Sequence, residues 1–248
     1  MIAGIVIFVL AYIAIASEKI DKTIAAMLGA GLMVVFKVAG FNDMLGKVDL
    51  NVLGLLVGMM IIVNIMATTG VFEYLAVQIA RQTKGNGVLV TVEFLLATAI
   101  VSAFMDNVTT VILMAPVTIL ITQLLGLPTV PILIMEAIFS NIGGTATLIG
   151  DPPNIMIGSA AGLSFTDFIT NTGVAVLFVL AATIVCFYFI YGRKLHVEPE
   201  AMDSILQLDE NKAIKDRSLL IKSVVMILLV VFGFVFHSQL HLESCTIA

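Results

Sequence analysis

Apolar runs separated by short polar segments make up most of the chain. Five of these runs predict spanning helices, at about 2–16, 23–39, 51–67, 173–191 and 219–236. Their lengths approach the ~20 residues that cross a bilayer as a helix. Two further apolar stretches, 88–126 and 128–161, are each interrupted by polar residues. The pattern predicts an all-α polytopic membrane protein in which two segments are not simple spans.

The segment 71–83 differs from the spans because its polar and apolar residues separate onto two faces of a helix. Phe72, Leu75, Ala76 and Ile79 fall on one face, and polar residues lie elsewhere. This arrangement predicts a helix that lies flat in the membrane interface.

Two polar segments and one isolated amide complete the pattern. The segment 40–49 predicts a short loop, and 193–218 predicts a cytoplasmic linker of mixed charge. Asn64 stands alone in the third apolar run, where an amide is typical of contacts between helices.

The composition agrees with a membrane solvent. Of the 248 residues, 60% are hydrophobic and 12% are charged, and the mean hydropathy is +1.14. These values exclude an ordinary soluble domain. Cys186 and Cys245 do not form a disulfide framework. The lipid bilayer is therefore the expected surrounding, and no nucleic-acid partner is expected.

The positions of the basic residues predict an orientation, because cytoplasmic loops are enriched in Lys and Arg. With the amino terminus outside, ten of the 12 basic residues fall on the cytoplasmic side, and Lys37 and Lys47 remain outside. We expect a multi-pass protein of the cell (inner) membrane in this orientation.

The stretch 88–126 predicts a hairpin that enters the membrane and returns. Its two apolar arms flank Asp106-Asn107-Val108-Thr109-Thr110, and no Lys or Arg occurs between Gly85 and Gly192. An ordinary exposed loop would carry basic residues or a turn rich in Gly and Pro. The alternative is two full spans joined by a small loop, since both arms are long enough.

The stretch 128–161 predicts a broken helix. Gly143-Gly144, Gly150 and Pro152-Pro153 interrupt it, because Gly loosens the backbone and Pro removes amide donors. Unpaired backbone is tolerated in a bilayer only where it is buried in protein or lines a polar cavity. The break therefore predicts a binding site.

The hairpin tip and the break supply the candidate ion-binding side chains. Carboxylate, amide and backbone oxygens could hold sodium at Asp106, Asn107 and Gly144. The amino-terminal ends of helices near Thr109 and after Pro153 would favour an anion. The complete candidate set is Asp106, Asn107, Thr109, Thr110, Asn141, Gly143, Gly144, Thr145, Thr147, Asp151 and Asn154.

The sequence does not support all acidic residues of this region equally as ion ligands. An intramembrane carboxylate usually belongs to an ion pathway, which favours a functional Asp106. Asp151 precedes Pro152-Pro153, a good capping position, so a cap and an ion ligand are equally supported. Glu93 and Glu136 are weaker candidates, on the hypothesis that each lies near a membrane boundary.

An intramembrane protease and a passive channel are the alternative function classes. Paired aspartates occur in intramembrane aspartyl proteases, but Leu148 occupies the first glycine position of the Gly-x-Gly-Asp motif, and Pro-Ala-Leu is absent. No enzyme activity is expected. A passive anion channel fits the composition, but the two interruptions favour alternating access.

The end of the chain resembles its beginning. The apolar run 219–236, a polar segment and Thr246-Ile247-Ala248 repeat the order of 2–16, a charged turn and Thr23-Ile24-Ala25. Transporters are often built from such internal repeats. The interpretation is a first repeat over 1–192, a linker over 193–218, and the truncated start of a second repeat over 219–248.

Two motifs, Ser102–Val117 and Ile138–Asn154, closely resemble the ion transporter superfamily. That group includes arsenite permeases, NhaD-type sodium–proton antiporters, citrate transporters and the P protein. The P-protein-like branch is nearest, because Asp-Asn-Val-Thr-Thr and Gly-Asp-Pro-Pro-Asn occur together there. The resemblance covers about Val52 to Gly158.

The resemblance implies an inverted-repeat fold, in which each repeat contributes one re-entrant hairpin and one broken helix, and a homodimer. It implies secondary active transport of a small ion such as arsenite, chloride or a carboxylate, coupled to or exchanged with sodium or protons. Sodium–proton antiport is the alternative. No cofactor is implied beyond the coupling ion.

Overall fold

The computed structural model describes residues 2–17, 19–84, 86–197, 201, 213–240 and 244–247. These residues form helices and contain no β-strand. In chain order the helices are α1 (Ile2–Ala16), α2 (Lys22–Val35), α3 (Phe41–Leu45), α4 (Leu50–Thr68), α5 (Val71–Gln82), α6 (Gly87–Ser102), α7 (Asn107–Leu124), α8 (Thr129–Gly144), α9 (Pro152–Ala161), α10 (Phe165–Phe168), α11 (Val174–Tyr191), α12 (Arg217–Leu240) and α13 (Ser244–Ile247).

The chain divides into two compact units, Met1–Leu50 and Asn51–Ala248. In the first unit α1 packs against α2. Asp21 caps α2, since its carboxylate accepts from Thr23 N at 2.9 Å and Ile24 N at 3.2 Å. These hydrogen bonds hold the pKa of the exposed Asp21 carboxyl below its usual range, and the bond from Ile24 N has the largest effect.

The predicted second span and loop differ from the structure in extent. α2 ends at Val35 rather than at residue 39, and Lys37 adopts a positive φ of 54°. A left-handed residue cannot continue a right-handed helix. The segment predicted as a loop contains the short helix α3.

The core of the second unit lies between α6, α7 and α8. Leu95, Met114, Ile121 and Phe139 are fully buried there. α5 packs against α6 and α7, and it buries Phe72 together with Ala76, Val77 and Ala80. The face of α5 covered by protein is therefore shifted relative to the predicted apolar face. The position of α5 in the interface stays a prediction.

A second apolar cluster joins α4, α9, α10 and α12. It contains Leu55, Ile155, Phe165 and Phe234. The rings of Phe165 and Phe234 stack with centroids 5.8 Å apart. This cluster packs beside Leu148 and Ile149, so apolar side chains support the break from one side.

The predicted interfacial segment 163–170 and the span 173–191 are continuous in the structure. A π-helical turn at Ile169–Gly173 connects α10 to α11, and the helical run extends over Phe165–Lys194. Ser164 and Asp167 form a capping box at its start. No turn separates the two predicted elements, because the π-helical turn carries the backbone hydrogen bonding through them.

Four described helices are long and apolar enough to cross a membrane: Leu50–Thr68, Asn107–Leu124, Phe165–Lys194 and Arg217–Phe236. The predicted class, an all-α polytopic membrane protein, is confirmed.

The predicted linker 193–218 falls largely outside the described residues, which omit 198–200 and 202–212. Where the linker ends, Lys215 N donates to Thr69 O at 2.9 Å. Its ammonium lies 3.8 Å from the Glu73 carboxylate. The region predicted as the start of a second repeat contains α12 and α13.

Candidate functional site

Four helix ends meet where the hairpin tip touches the break. α6 ends at Ser102 and α7 begins at Asn107, while α8 ends at Gly144 and α9 begins at Pro152. Helix amino termini carry partial positive charge and carboxyl termini partial negative charge. The site is therefore built from two ends of each sign.

Side chains of the two interruptions bond directly to each other. Asn107 Nδ2 donates to Asn141 Oδ1 at 2.6 Å, and Asn141 Nδ2 donates to Ala137 O at 2.7 Å. Ser102 Oγ donates to Ser140 O at 2.7 Å. These bonds tie both ends of the hairpin tip to the last turns of α8.

Thr147 holds the segment between α8 and α9 against the tip. Its hydroxyl donates to the carbonyl of Ala103 and accepts from Gly150 N at 3.1 Å. A Cβ on Gly150 would lie 2.8 Å from Ser102 O. Only glycine permits this close approach of the two backbones.

Asn154 bridges the break from α9. Its Nδ2 donates to Gly144 O at 3.2 Å and to Thr147 O at 2.9 Å. Carbonyl groups that the end of α8 leaves unpaired therefore receive a side-chain donor, as buried helix ends require. Gly143 packs against α6, where a Cβ would overlap the Ala99 backbone.

Asp106 caps α7. Thr109 N donates to its carboxylate at 3.0 Å, and Thr110 Oγ1 donates to its backbone carbonyl at 3.0 Å. The carboxylate has only one such partner among the described residues, so the cap leaves oxygen lone pairs available to an ion.

Asp151 does not behave as the expected cap. It occupies the position before α9, but its side chain makes no capping hydrogen bond there. Its carboxylate instead lies next to Gly144, where a Cβ would be 3.0 Å from Oδ2. Asp151 and Asp106 thus stand directly before α9 and α7, at the two interruptions that contact each other. The capping interpretation is thus wrong for Asp151, whereas Asp106 does cap α7.

A small cavity of about 30 Å³ lies beside the tip, and Asp106, Thr109 and Asn64 line it with apolar residues. Such a volume holds one or two water-sized species. Asn64 was interpreted as a helix contact, and its position here adds a polar group to the candidate set. The signal was an amide in an apolar run two helices before the hairpin.

The structure thus brings the predicted residues of the tip and the break together, but it distributes them over two sides. Asp106 and Thr109 face the small cavity, whereas Asn107 and Asn141 line a groove of about 260 Å³. Thr110 is buried, and Thr145 is exposed with its hydroxyl bonded to Asn141 O. For the expected sodium site, the Gly144 carbonyl already accepts from Asn154. Among the described residues no three His, Cys, Asp or Glu side chains form a metal site.

The expectation for Glu136 is wrong. Its side chain is 1% exposed rather than at a solvated boundary. Thr98 Oγ1 lies 3.1 Å and Thr118 Oγ1 2.9 Å from Glu136 Oε1. The available signal was its place near the middle of the apolar stretch that precedes the predicted break. Glu93 on α6 is half-buried.

Comparisons with known proteins place the chain in a family. The family model described as "Citrate transporter" matches residues 12–248. This chain belongs to the citrate transporter family. It lies within the ion transporter superfamily that the two motifs indicated, and the names of the family and of its relatives point to transport rather than to an enzyme.

Three relatives illustrate the match. The chain is 41% identical over its whole length to an uncharacterized transporter of Mycobacterium bovis, of which it covers 58%. It is 40% identical to a 46 kDa membrane protein of Mycobacterium leprae, over 97% of the chain and 57% of the relative. It is 39% identical to the human P protein, over 75% of the chain and 23% of the relative. The chain thus spans about 58% of the length of the first curated relative.

Proposed function

We propose that the transporter carries a small anion and couples its movement to a cation or proton bound at the paired aspartates. The observation that supports this most directly is the placement of Asp106 and Asp151 directly before α7 and α9, at the two interruptions that the Asn107–Asn141 hydrogen bond joins. Two neighbouring carboxylates at low dielectric are stabilised by a bound cation or proton.

The Asp106 and Asp151 carboxylates would also repel the transported anion. The segment between Gly85 and Gly192 contains no Lys or Arg. An anion near the helix amino termini would meet two carboxylates there, unless a cation or proton neutralised them first. Binding of the coupling ion would therefore have to precede binding of the anion. Arsenite, chloride and a carboxylate such as citrate are the candidate classes.

Exchange of sodium for protons is the second candidate. It uses the same two carboxylates and requires no anion site, so the absence of basic residues in this stretch favours it specifically.

The test is flux into proteoliposomes that contain the full-length transporter. Labelled citrate, arsenite, chloride and sodium are offered separately, with and without a sodium gradient and a pH gradient. We expect one anion to accumulate only when one of the gradients is present. Sodium movement driven by a pH gradient without any anion would establish the second candidate. Anion flux that follows only its own gradient would identify a channel and contradict both.

The orientation belongs to the same proposal. We infer an amino terminus outside the cell membrane, because this places ten of the 12 basic residues on the cytoplasmic side. A tag at the amino terminus should be reached by antibody on intact spheroplasts without permeabilisation. Reaction only after permeabilisation would reverse the orientation.

A further inference from the structure

Glu136 is buried within the three-helix core and is not part of the site at the tip. The helix neighbours on its own face of α8, namely Ile132, Phe139 and Ser140, are each at most 1% exposed. Glu136 lies seven residues before Gly143, which is roughly 10 Å along a helix axis. The group therefore needs its own explanation.

The hydrogen atoms available around Glu136 indicate which form the carboxyl group takes. Thr98 Oγ1 lies 2.9 Å from Phe94 O and 3.1 Å from Glu136 Oε1. A hydroxyl has one hydrogen, so it cannot donate to both oxygens. If the Thr98 hydrogen goes to the carbonyl, which can only accept, then the hydrogen between Thr98 and Glu136 must come from Glu136.

The second carboxyl oxygen supports the same form. Oε2 has no hydrogen-bond partner within the described part of the chain. Thr118 is then the one remaining donor to the group, through Oε1 at 2.9 Å. An ionised carboxylate accepts several hydrogen bonds and is costly to bury without them. A neutral acid needs fewer, because it donates one hydrogen bond itself.

Among the described residues, no charged group bonds to Glu136 to compensate a carboxylate at this position. α8 packs against α6, α7 and α11. The titratable residues of these helices are Glu93 on α6, Cys186, Tyr188 and Tyr191 on α11, and Asp106 at the start of α7. None of them bonds to Glu136 in the described residues. Glu93 precedes Thr98 by five residues and so lies roughly 140° around α6 from it.

We propose that Glu136 is a proton-binding site of the transporter, neutral in this conformation, and that it exchanges its proton during the transport cycle. Release breaks the O–H bond at Oε1, the electron pair stays on the carboxylate, and the proton passes to water. The Thr98 hydroxyl must then turn from Phe94 O toward Glu136 to stabilise the charge.

Release also requires α8 to move relative to α6 and α7, because Oε2 is buried and has no donor among the described residues. Two hydrogen bonds join α6 to α8, one between Thr98 and Glu136 and one between Ser102 and Ser140. On each helix the two bonded residues are four positions apart. Movement at Glu136 would therefore be transmitted to Asn141 and the break. This role in coupling depends on the proposed function, whereas the protonation of Glu136 does not.

The first experiment measures protonation without transport. Infrared spectra of the full-length protein in lipid nanodiscs are recorded at neutral pH in H₂O and D₂O. We expect a carboxylic-acid C=O band that disappears in Glu136→Gln and remains in the matched control Glu93→Gln. The band should be unchanged when sodium replaces potassium. A carboxylate at Glu136 at neutral pH, or a band that sodium removes, would overturn the proposal.

The second experiment measures proton movement. Proteoliposomes loaded with a pH-sensitive dye receive citrate, arsenite or chloride gradients. The wild type and Glu93→Gln should move protons together with the transported anion. In Glu136→Gln the rate of proton movement should be at least tenfold lower. Because glutamine resembles the neutral acid, the melting temperature of Glu136→Gln should match that of the wild type. Unchanged proton movement in a folded Glu136→Gln would also overturn the proposal.

The two experiments separate the possible failures. If the wild type moves none of the three anions, the proposed function fails. The infrared spectra still decide the protonation of Glu136, including when Glu136→Gln does not fold, since Thr98→Val should shift the acid band of an otherwise intact carboxyl group. An acid band that does not respond to Thr98→Val would contradict the assigned hydrogen bond.

Discussion

Asn107 and Asn141 join the two interruptions of the chain through one hydrogen bond. The distance from Asn107 Nδ2 to Asn141 Oδ1 is 2.6 Å, although 34 residues separate them. Asn141 Nδ2 donates in turn to Ala137 O, so the pair is anchored on the backbone of α8. If the tip between α6 and α7 shifts, this hydrogen bond should therefore displace the end of α8 at the break.

The first prediction concerns this pair. Asn107→Ala and Asn141→Ala should each slow substrate flux roughly fivefold, because a side-chain hydrogen bond contributes about 1 kcal/mol. The double variant should be little slower than either single variant, since both remove the same bond. Asn171→Ala, which removes an exposed amide on the π-helical turn, is the matched control and should transport normally. Fully additive losses in the double variant would show that the two amides act separately.

The second prediction separates the roles of Asp106 and Asp151. Asp106→Asn should keep the cap on α7, because Asn caps helices as well as Asp does, and should lose most ion-dependent flux. Asp106→Ala should lose the flux and also about 1 kcal/mol of stability. Detergent melting temperature and flux must be measured on the same preparations.

Asp151→Asn supplies the comparison, because no capping hydrogen bond is lost there. Its melting temperature should equal that of the parent, whereas its flux should fall if the paired carboxylates hold the coupling ion. If Asp106→Asn shows normal, ion-dependent flux, then Asp106 only caps α7 and does not bind the coupling ion.

The third prediction concerns the approach of α8 to α6. A methyl group on Gly143 would overlap the Ala99 backbone. Gly143→Ala should therefore force the helices apart and cost about 1–3 kcal/mol, as overpacking does. Gly31→Ala is the control, since a Cβ on Gly31 meets nothing within 4 Å. A melting temperature of Gly143→Ala at or above that of the parent would show that α6 and α8 are not in close contact there.

The sequence predicts much of the helical architecture because apolar runs and breakers are local signals. Gly143, Gly144 and the Pro152-Pro153 pair locate the break, and α8 and α9 flank it in the structure. Capping was predicted less well. Asp151 has the sequence context of a cap, but its side chain lies beside Gly144 instead. That contact depends on how the backbone folds back after the break, which no local pattern specifies.

Glu136 illustrates the other limit. Its position in the middle of an apolar helix is visible in the sequence, but its environment is set by Thr98 and Thr118 on two other helices. Sequence separations of 38 and 18 residues give no periodic signal that relates these three side chains. Helix packing therefore determines whether such a carboxyl group is solvated or buried.

The last prediction tests whether the hairpin formed by α6 and α7 is re-entrant. α6 has 16 residues, which correspond to roughly 24 Å and fall short of the ~30 Å hydrocarbon core, whereas α7 with 18 residues is long enough to cross. Single cysteines are introduced by Asn107→Cys or Thr109→Cys after Cys186 and Cys245 are replaced by Ala. Because the tip packs against Thr147 and Asn141, a bulky impermeant reagent should not reach it freely from outside.

The controls for this experiment are exposed lysines on the two predicted sides. Lys47→Cys should react from outside, and Lys19→Cys should react only after permeabilisation. A small reagent should label Thr109→Cys slowly through the cavity that Asp106 lines, and the transported ion should protect it. If Asn107→Cys reacts with the bulky outside reagent as fast as Lys47→Cys, with and without that ion, then the tip is an exposed loop. In that case α6 and α7 would be two full spans, and Asp106 would lie at the membrane surface, where a carboxylate has no energetic reason to bind a coupling ion.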